Sequence, residues 1–173
     1  CSMELGGNAP VIIFDDADID TAIEGLIVAK FRNTGQSCVG ANRVYVQDGI
    51  YDAFAHRFAD RVSRMKVGNG LEEATEIGPL IDAAAVAKVE EHIADALSRG
   101  GRIVTGGARL PTGGNFFQPT VIADVAADAQ IATEETFGPV APLFRFATDE
   151  EAIRCANESE YGLAAYIFAR DAA

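Results

Sequence analysis

The sequence is poor in residues that build several familiar kinds of site. It holds three cysteines, Cys1, Cys38 and Cys155, an odd number without C-x-x-C spacing. That excludes a disulfide framework and a zinc knuckle, and it reads as a reduced, cytoplasmic setting. Only two histidines occur, His56 and His92. Both fall in stretches with helical apolar spacing beside charged neighbours, so each is read as an exposed helix residue rather than a base. No apolar run approaches the roughly 18 residues that cross a bilayer, so no membrane span is expected. The patterns G-x-G-x-x-G, G-x-x-x-x-G-K-S/T and H-E-x-x-H are all missing. Their absence removes a dinucleotide fingerprint, a phosphate-binding loop and a zincin helix, and no metal site is expected. Positive charge is scarce as well: 14 Lys and Arg against 26 Asp and Glu leave a net charge of −12. A surface of that sign repels a phosphate backbone, which rules out nucleic acid and leaves small molecules or proteins as partners.

What is present describes one sizeable globular unit. A chain of 173 residues, 49% of them hydrophobic, buries roughly 70% of its unfolded surface on folding. "APVIIF" (9–14) is a short run rich in β-branched residues and reads as a buried strand. The acidic cluster "DDADID" then offers helix N-caps, and Ala22, Ile23, Leu26, Ile27 and Phe31 recur at helical spacing. That helix is expected to end near Asn33 to Gly35. "ANRVYVQ" (41–47) is a second strand and 50–65 a second amphipathic helix. Residues 83–97 form a third helix, stopped by Gly100 and Gly101, and "RIVTGG" is a strand. "FQPTVIADV", "VAPLFRFA", a short helix to Asn157 and "LAAYIFA" complete the alternation, while "GGARLPTGGNFFQP" is the one long irregular segment, read as a surface hairpin.

This alternation predicts an α/β fold, a mostly parallel open sheet with helices on both faces, with ligands at the carboxyl ends of the strands. No repeat or linker suggests a second domain. The chain starts at Cys1 without an initiator Met and stops just past a strand-like run, so it is read as a piece of a longer polypeptide.

One polar loop, "KFRNTGQSCVG" (30–40), carries Cys38 with Arg32 six positions before it. A nucleophilic thiolate needs a base, a positive charge or a helix N-terminus nearby. With histidine set aside, a carboxylate remains, and Glu4 in "MELGGNAP" precedes Gly6 and Gly7, a pair that permits close backbone approach. A third segment, "EETFGPV" (134–140), joins two acids, an aromatic and a Gly-Pro turn. Each feature alone also reads blandly, as a packing cysteine, a turn carboxylate and a solvated acidic shoulder.

Together, in this order, "MELGGNAP", "NTGQSC" and "EETFGPV" resemble the signature segments of the aldehyde dehydrogenase superfamily. Glu4 precedes Cys38 by 34 positions and Glu135 follows it by 97, as that family requires. The resemblance covers the whole chain and implies a catalytic, thiol-bearing domain over 1–173. It makes Cys38 the nucleophile that forms a thiohemiacetal and then a thioester, and Glu4 the activator of water. Glu135 matches the residue that holds the nicotinamide ribose, Phe137 the aromatic beside the nicotinamide, and Gly6 the turn between cofactor and thiol. The implied cofactor is NAD or NADP. In relatives an amide oxyanion donor, a ribose-contacting lysine and a Rossmann-like cofactor domain precede the glutamate, and a C-terminal assembly segment supports dimers or tetramers; all are expected outside this chain.

Arg32 admits two readings, a cation at a helix C-terminus or a substrate contact. "KFRNTGQSCVGANRVYVQ" is similar to the succinate-semialdehyde dehydrogenase branch, in which an arginine six residues before the cysteine binds the far carboxylate, a task suited to a bidentate guanidinium. Another semialdehyde such as glutarate semialdehyde, a non-catalytic module and a cysteine hydrolase remain as alternatives. Arg43 is read as a structural salt-bridge residue and Cys155 as core packing.

Overall fold

The computed structural model describes residues 1–3 and 5–171. Glu4 lies outside the described residues. The strands are β1 (Ala9–Ile13), β2 (Ala41–Gln47), β3 (Arg102–Thr105), β4 (Thr120–Ala123), β5 (Val140–Phe146) and β6 (Tyr166–Phe168). The helices are α1 (Ile19–Phe31), α2 (Tyr51–Ser63), α3 (Ala83–Ser98), α4 (Gln130–Thr133) and α5 (Asp149–Asn157). They form one six-stranded sheet in the order β3-β4-β5-β2-β1-β6. Every pairing is parallel except β3 with β4, as the β-α alternation predicts.

Helices cover both faces because the inner strands are apolar on both sides. Val11, Ile13, Val44, Val46 and Leu143 pack against α1 and α2, whereas Ile12, Tyr45, Ile122, Phe144 and Phe146 pack against α3, α4 and α5. Alternation along each strand thus feeds two cores, and β1 is buried at all five positions. The caps follow the sequence: Asp18 accepts from the Thr21 amide at 2.8 Å, Asp82 from that of Ala85 at 2.8 Å, and Thr148 from that of Glu151 at 3.3 Å. Among the described residues no helix is long and apolar enough to cross a membrane.

Two local expectations are corrected. Helix α1 stops at Phe31, and residues 32–35 continue as a 3₁₀ turn in which Asn33 (φ 52°) and Thr34 (φ 60°) enter the left-handed region. That region ends an α-helix, and for a β-branched residue it is strained. Thr34 is held there by Gly78, whose amide donates to Thr34 Oγ1 at 3.1 Å while the hydroxyl donates to the Gly78 carbonyl at 3.2 Å. Gly78 belongs to the second correction: residues 64–82 form another long irregular stretch, bound to the cysteine loop also by the Ile81 amide on Gln36 Oε1 at 2.9 Å. The segment 106–118 does turn back on itself, with the Leu110 amide on the Phe116 carbonyl and the Gln118 amide on the Ala108 carbonyl, both at 3.0 Å.

Candidate active site

The three signature segments each lead into one of three adjacent parallel strands: β1 follows "MELGG", β2 follows "NTGQSC" and β5 follows "EETFGP". Ala9 pairs with Ala41, and Val44 with Leu143; carried back along β2 and β5, this register sets Ala9, Ala41 and Val140 level. Gly6, Cys38 and Phe137 each stand three residues before one of these. The segments therefore meet at the amino ends of the strands, not at the carboxyl ends expected from the open-sheet rule. The sequence carried the signal, since each segment precedes its apolar run.

Close backbone approaches lock the segments together. A Cβ on Gly7 would overlap the Cys38 carbonyl oxygen, and one on Gly35 would overlap the carbonyl oxygen of Gly138. Gly35 also has φ 73°, which a residue with a side chain adopts only under strain. On the other side of the turn, a Cβ on Gly6 would stand 2.6 Å from Glu135 Oε2, and the Gly7 amide donates to Glu135 Oε1 at 3.1 Å. The Gly6–Gly7 backbone thus runs between the thiol-bearing turn and a carboxylate, where any larger residue would wedge them apart.

Cys38 is half-buried, in a turn closed by the Gly40 amide on the Ser37 carbonyl at 2.9 Å. Tyr166 of β6 donates to the Val39 carbonyl at 2.8 Å and so fixes the turn from the outer strand. Phe137 leaves 39% of its surface exposed and holds φ 52°, an unusual conformation for a bulky residue and one that over-determined sites retain. A half-buried carboxylate (Glu135), an exposed ring (Phe137) and a side-chain-free turn (Gly6) thus gather beside the thiol-bearing loop, groups able to meet a nicotinamide cofactor.

Arg32 is exposed and, among the described residues, makes no hydrogen bond or ion pair. It stands at the C-cap of α1 without a side-chain hydrogen bond to the helix end, so its guanidinium is available to an anion at the loop that carries Cys38. Arg43 departs from its expected salt bridge. It is 1% exposed and donates to the carbonyls of Asn8 at 2.9 Å, Cys155 at 2.9 Å and Ala156 at 3.1 Å. The physical reason is the end of α5, whose last carbonyls lack helical partners; Arg43 satisfies them and ties α5 to the glycine turn through Asn8. Cys155 is half-buried against the α5-side core, as expected, and burial pushes its thiol up despite Arg154 nearby.

His92 is also corrected. It is buried, with Nδ1 3.0 Å from Thr136 Oγ1 and Nε2 3.6 Å from Glu134 Oε2, so it anchors the segment that carries Glu135 and Phe137. Burial holds its pKa below the ordinary histidine value, Lys88 adds to that, and Glu134 opposes it. The signal was there to read, because His92 follows Val89 by three positions on the buried face of α3. Lys30 was missed in the same way. It lies on the apolar face of α1, fully buried, and donates to Asn42 Oδ1 at 2.8 Å.

An aldehyde dehydrogenase family model matches residues 1–173. The chain is 61% identical over 170 residues to the NADP(+) succinate-semialdehyde dehydrogenase of Escherichia coli, covering 98% of this chain and 35% of that protein. It is 59% identical to a glutarate-semialdehyde dehydrogenase of Pseudomonas putida, with the same coverage. The crystal structure of succinate-semialdehyde dehydrogenase from Burkholderia pseudomallei superposes with a TM-score of 0.96 at 57% identity, over 99% of this chain and 36% of that one. The chain thus spans about a third of the length of these relatives. A thiol turn, a glycine turn and an acidic turn gathered at one end of a parallel sheet, together with a match along the whole chain, have one family in common: the chain belongs to the aldehyde dehydrogenase family.

Proposed function

We propose that the intact protein oxidises an aldehyde with a far-end carboxylate, succinate semialdehyde first, to the acid with NAD or NADP, on Cys38. The thiolate Sγ adds to the aldehyde carbon, and the carbonyl oxygen becomes an alkoxide that the Cys38 amide stabilises in the thiohemiacetal. The nicotinamide, when bound, supplies the acceptor for the hydride leaving that carbon, and the adduct on Cys38 becomes a thioester. Glu4 takes a proton from water; the hydroxide adds to the thioester carbon, the C–S bond breaks, and the acid leaves with the thiolate restored. Arg32 pairs with the distal carboxylate, Glu135 and Phe137 hold the cofactor, and Gly6 leaves room for it.

The observation that carries this reading is the backbone packing of Gly7 on Cys38 with Glu135 on the far side of the same turn. Glutarate semialdehyde stands as the second substrate because a relative named for it is 59% identical. The test uses the intact protein and a series of ω-carboxyl aldehydes of increasing length. We expect NAD(P)H formation with the highest kcat/KM at succinate semialdehyde and none in Cys38→Ser. A peak at the five-carbon substrate would pass the assignment to glutarate semialdehyde. Release of an acyl adduct from Cys38 with no nicotinamide required for turnover would make the protein a cysteine hydrolase instead.

A further inference from the structure

Lys30 is an unusual residue to find sealed in a core. Its side chain leaves the last turn of α1 on the face shared with Ile23, Ile27 and Phe31, and it is 0% exposed. A buried ammonium is costly unless it is paired and hydrogen-bonded. Yet among the described residues its acceptor is a neutral amide, Asn42 Oδ1 at 2.8 Å, and no carboxylate lies within ion-pair distance. Asn42, 2% exposed on β2, passes the contact on: its Nδ2 donates to the Gly7 carbonyl at 3.5 Å. The Gly7 amide in turn donates to Glu135 Oε1 at 3.1 Å. One side chain on α1 is thereby linked, through one amide on β2, to the carbonyl of Gly7, the residue whose own amide holds Glu135 and which packs on Cys38.

We infer that Lys30 is a positioning residue: through Asn42 it sets the Gly6–Gly7 turn and hence the placing of the Glu135 carboxylate for the cofactor ribose. The inference rests on the functional reading above. Burial pushes the Lys30 ammonium down to about 7, and the Glu135 charge pulls it back up. A hydrophobic residue of the same length would fill the space without the desolvation cost, so a lysine here is not accounted for by packing.

The test is Lys30→Met in the intact protein, with Asn42→Ser as the second variant and the double variant beside them. Calorimetric titration with NAD or NADP gives the dissociation constant, unfolding temperature reports the fold, and steady-state kinetics separate KM from kcat. We expect the cofactor Kd and KM to rise about tenfold in each single variant, with kcat at saturating cofactor within about twofold of wild type. The double variant should be no worse than the weaker single, because both interrupt one relay. The unfolding temperature of Lys30→Met should equal or exceed that of wild type. A cofactor Kd within about twofold of wild type in Asn42→Ser or in a folded Lys30→Met overturns the inference and leaves the functional reading standing. Wild-type protein that binds neither dinucleotide overturns both.

Discussion

Arg32 and Lys30 are two cations on one helix end, and their surroundings give them opposite chemistry. The Arg32 side chain is exposed without a partner among the described residues and is free to meet an anion. A bidentate guanidinium–carboxylate pair contributes about 1.5–3 kcal/mol, so Arg32→Ala should lower kcat/KM for succinate semialdehyde by roughly 10- to 100-fold. A neutral aldehyde of similar length should lose about threefold at most. Equal losses for the two substrates remove Arg32 from the substrate site. Lys30 is buried, and its folded value near 7 lies well below the roughly 10.4 of an unfolded lysine. Between those values the unfolded chain binds more protons, so stability rises with pH across that window and the charge penalty is full below it. Among the described residues, Asn42 of β2, which does not titrate, accepts from the ammonium, and the charge of Glu135 in the loop before β5 acts on it. Unfolding measured from about pH 7.5 to 9.5 should show Lys30→Met more stable than wild type at the low end, the gap closing by about 1.4 kcal/mol per pH unit. Parallel curves would mean that the lysine keeps its proton in the fold.

Strand and helix positions were legible because they rest on local pattern: the apolar run of β1, the spacing of Ala22, Ile23, Leu26, Ile27 and Phe31 in α1, and the Asp18 and Asp82 caps. Two polar residues on those same buried faces, Lys30 and His92, are buried by their position in the helical period, against the exposure that their residue type predicts. Helix α4, four residues long, is too short to show a period. The meeting of Gly7 with Glu135, 128 positions apart, has no local signature, and only the resemblance between ordered motifs anticipated it. The glycines at these meetings give a prediction about elements. Gly35→Ala forces a Cβ into the Gly138 carbonyl at φ 73° and should cost at least about 2 kcal/mol in urea unfolding while moving the Phe137 turn. Gly70→Ala, with nothing within 4 Å of the added carbon, should be neutral to within about 0.5 kcal/mol. Similar costs at both positions would mean that the cysteine and acidic loops do not depend on that backbone contact.

As a whole molecule, the chain gathers Cys38 and the acidic turn at one end of a single sheet while spanning about a third of its relatives' length. Its outer strand β6 has three residues, with Ile167 66% exposed. The family resemblance implies a second oxyanion donor and a dinucleotide domain supplied from outside these 173 residues; on that reading thiol chemistry and hydride transfer should separate when this chain is made alone. We expect the isolated chain to form no NAD(P)H from succinate semialdehyde. Its thiols should still differ. Burial holds the Cys155 thiol up and its carbonyl is clamped by Arg43, whereas Cys38 sits in a turn at the open ends of the strands. With Cys1 as an exposed internal reference, iodoacetamide near pH 8 should label Cys38 well before Cys155, read by mass spectrometry of the tryptic peptides. NAD(P)H formation by the piece would place the whole cofactor site within it. Labelling of Cys155 at the rate of Cys38 would mean that the gathered turns do not favour the thiol on which the proposed reaction depends.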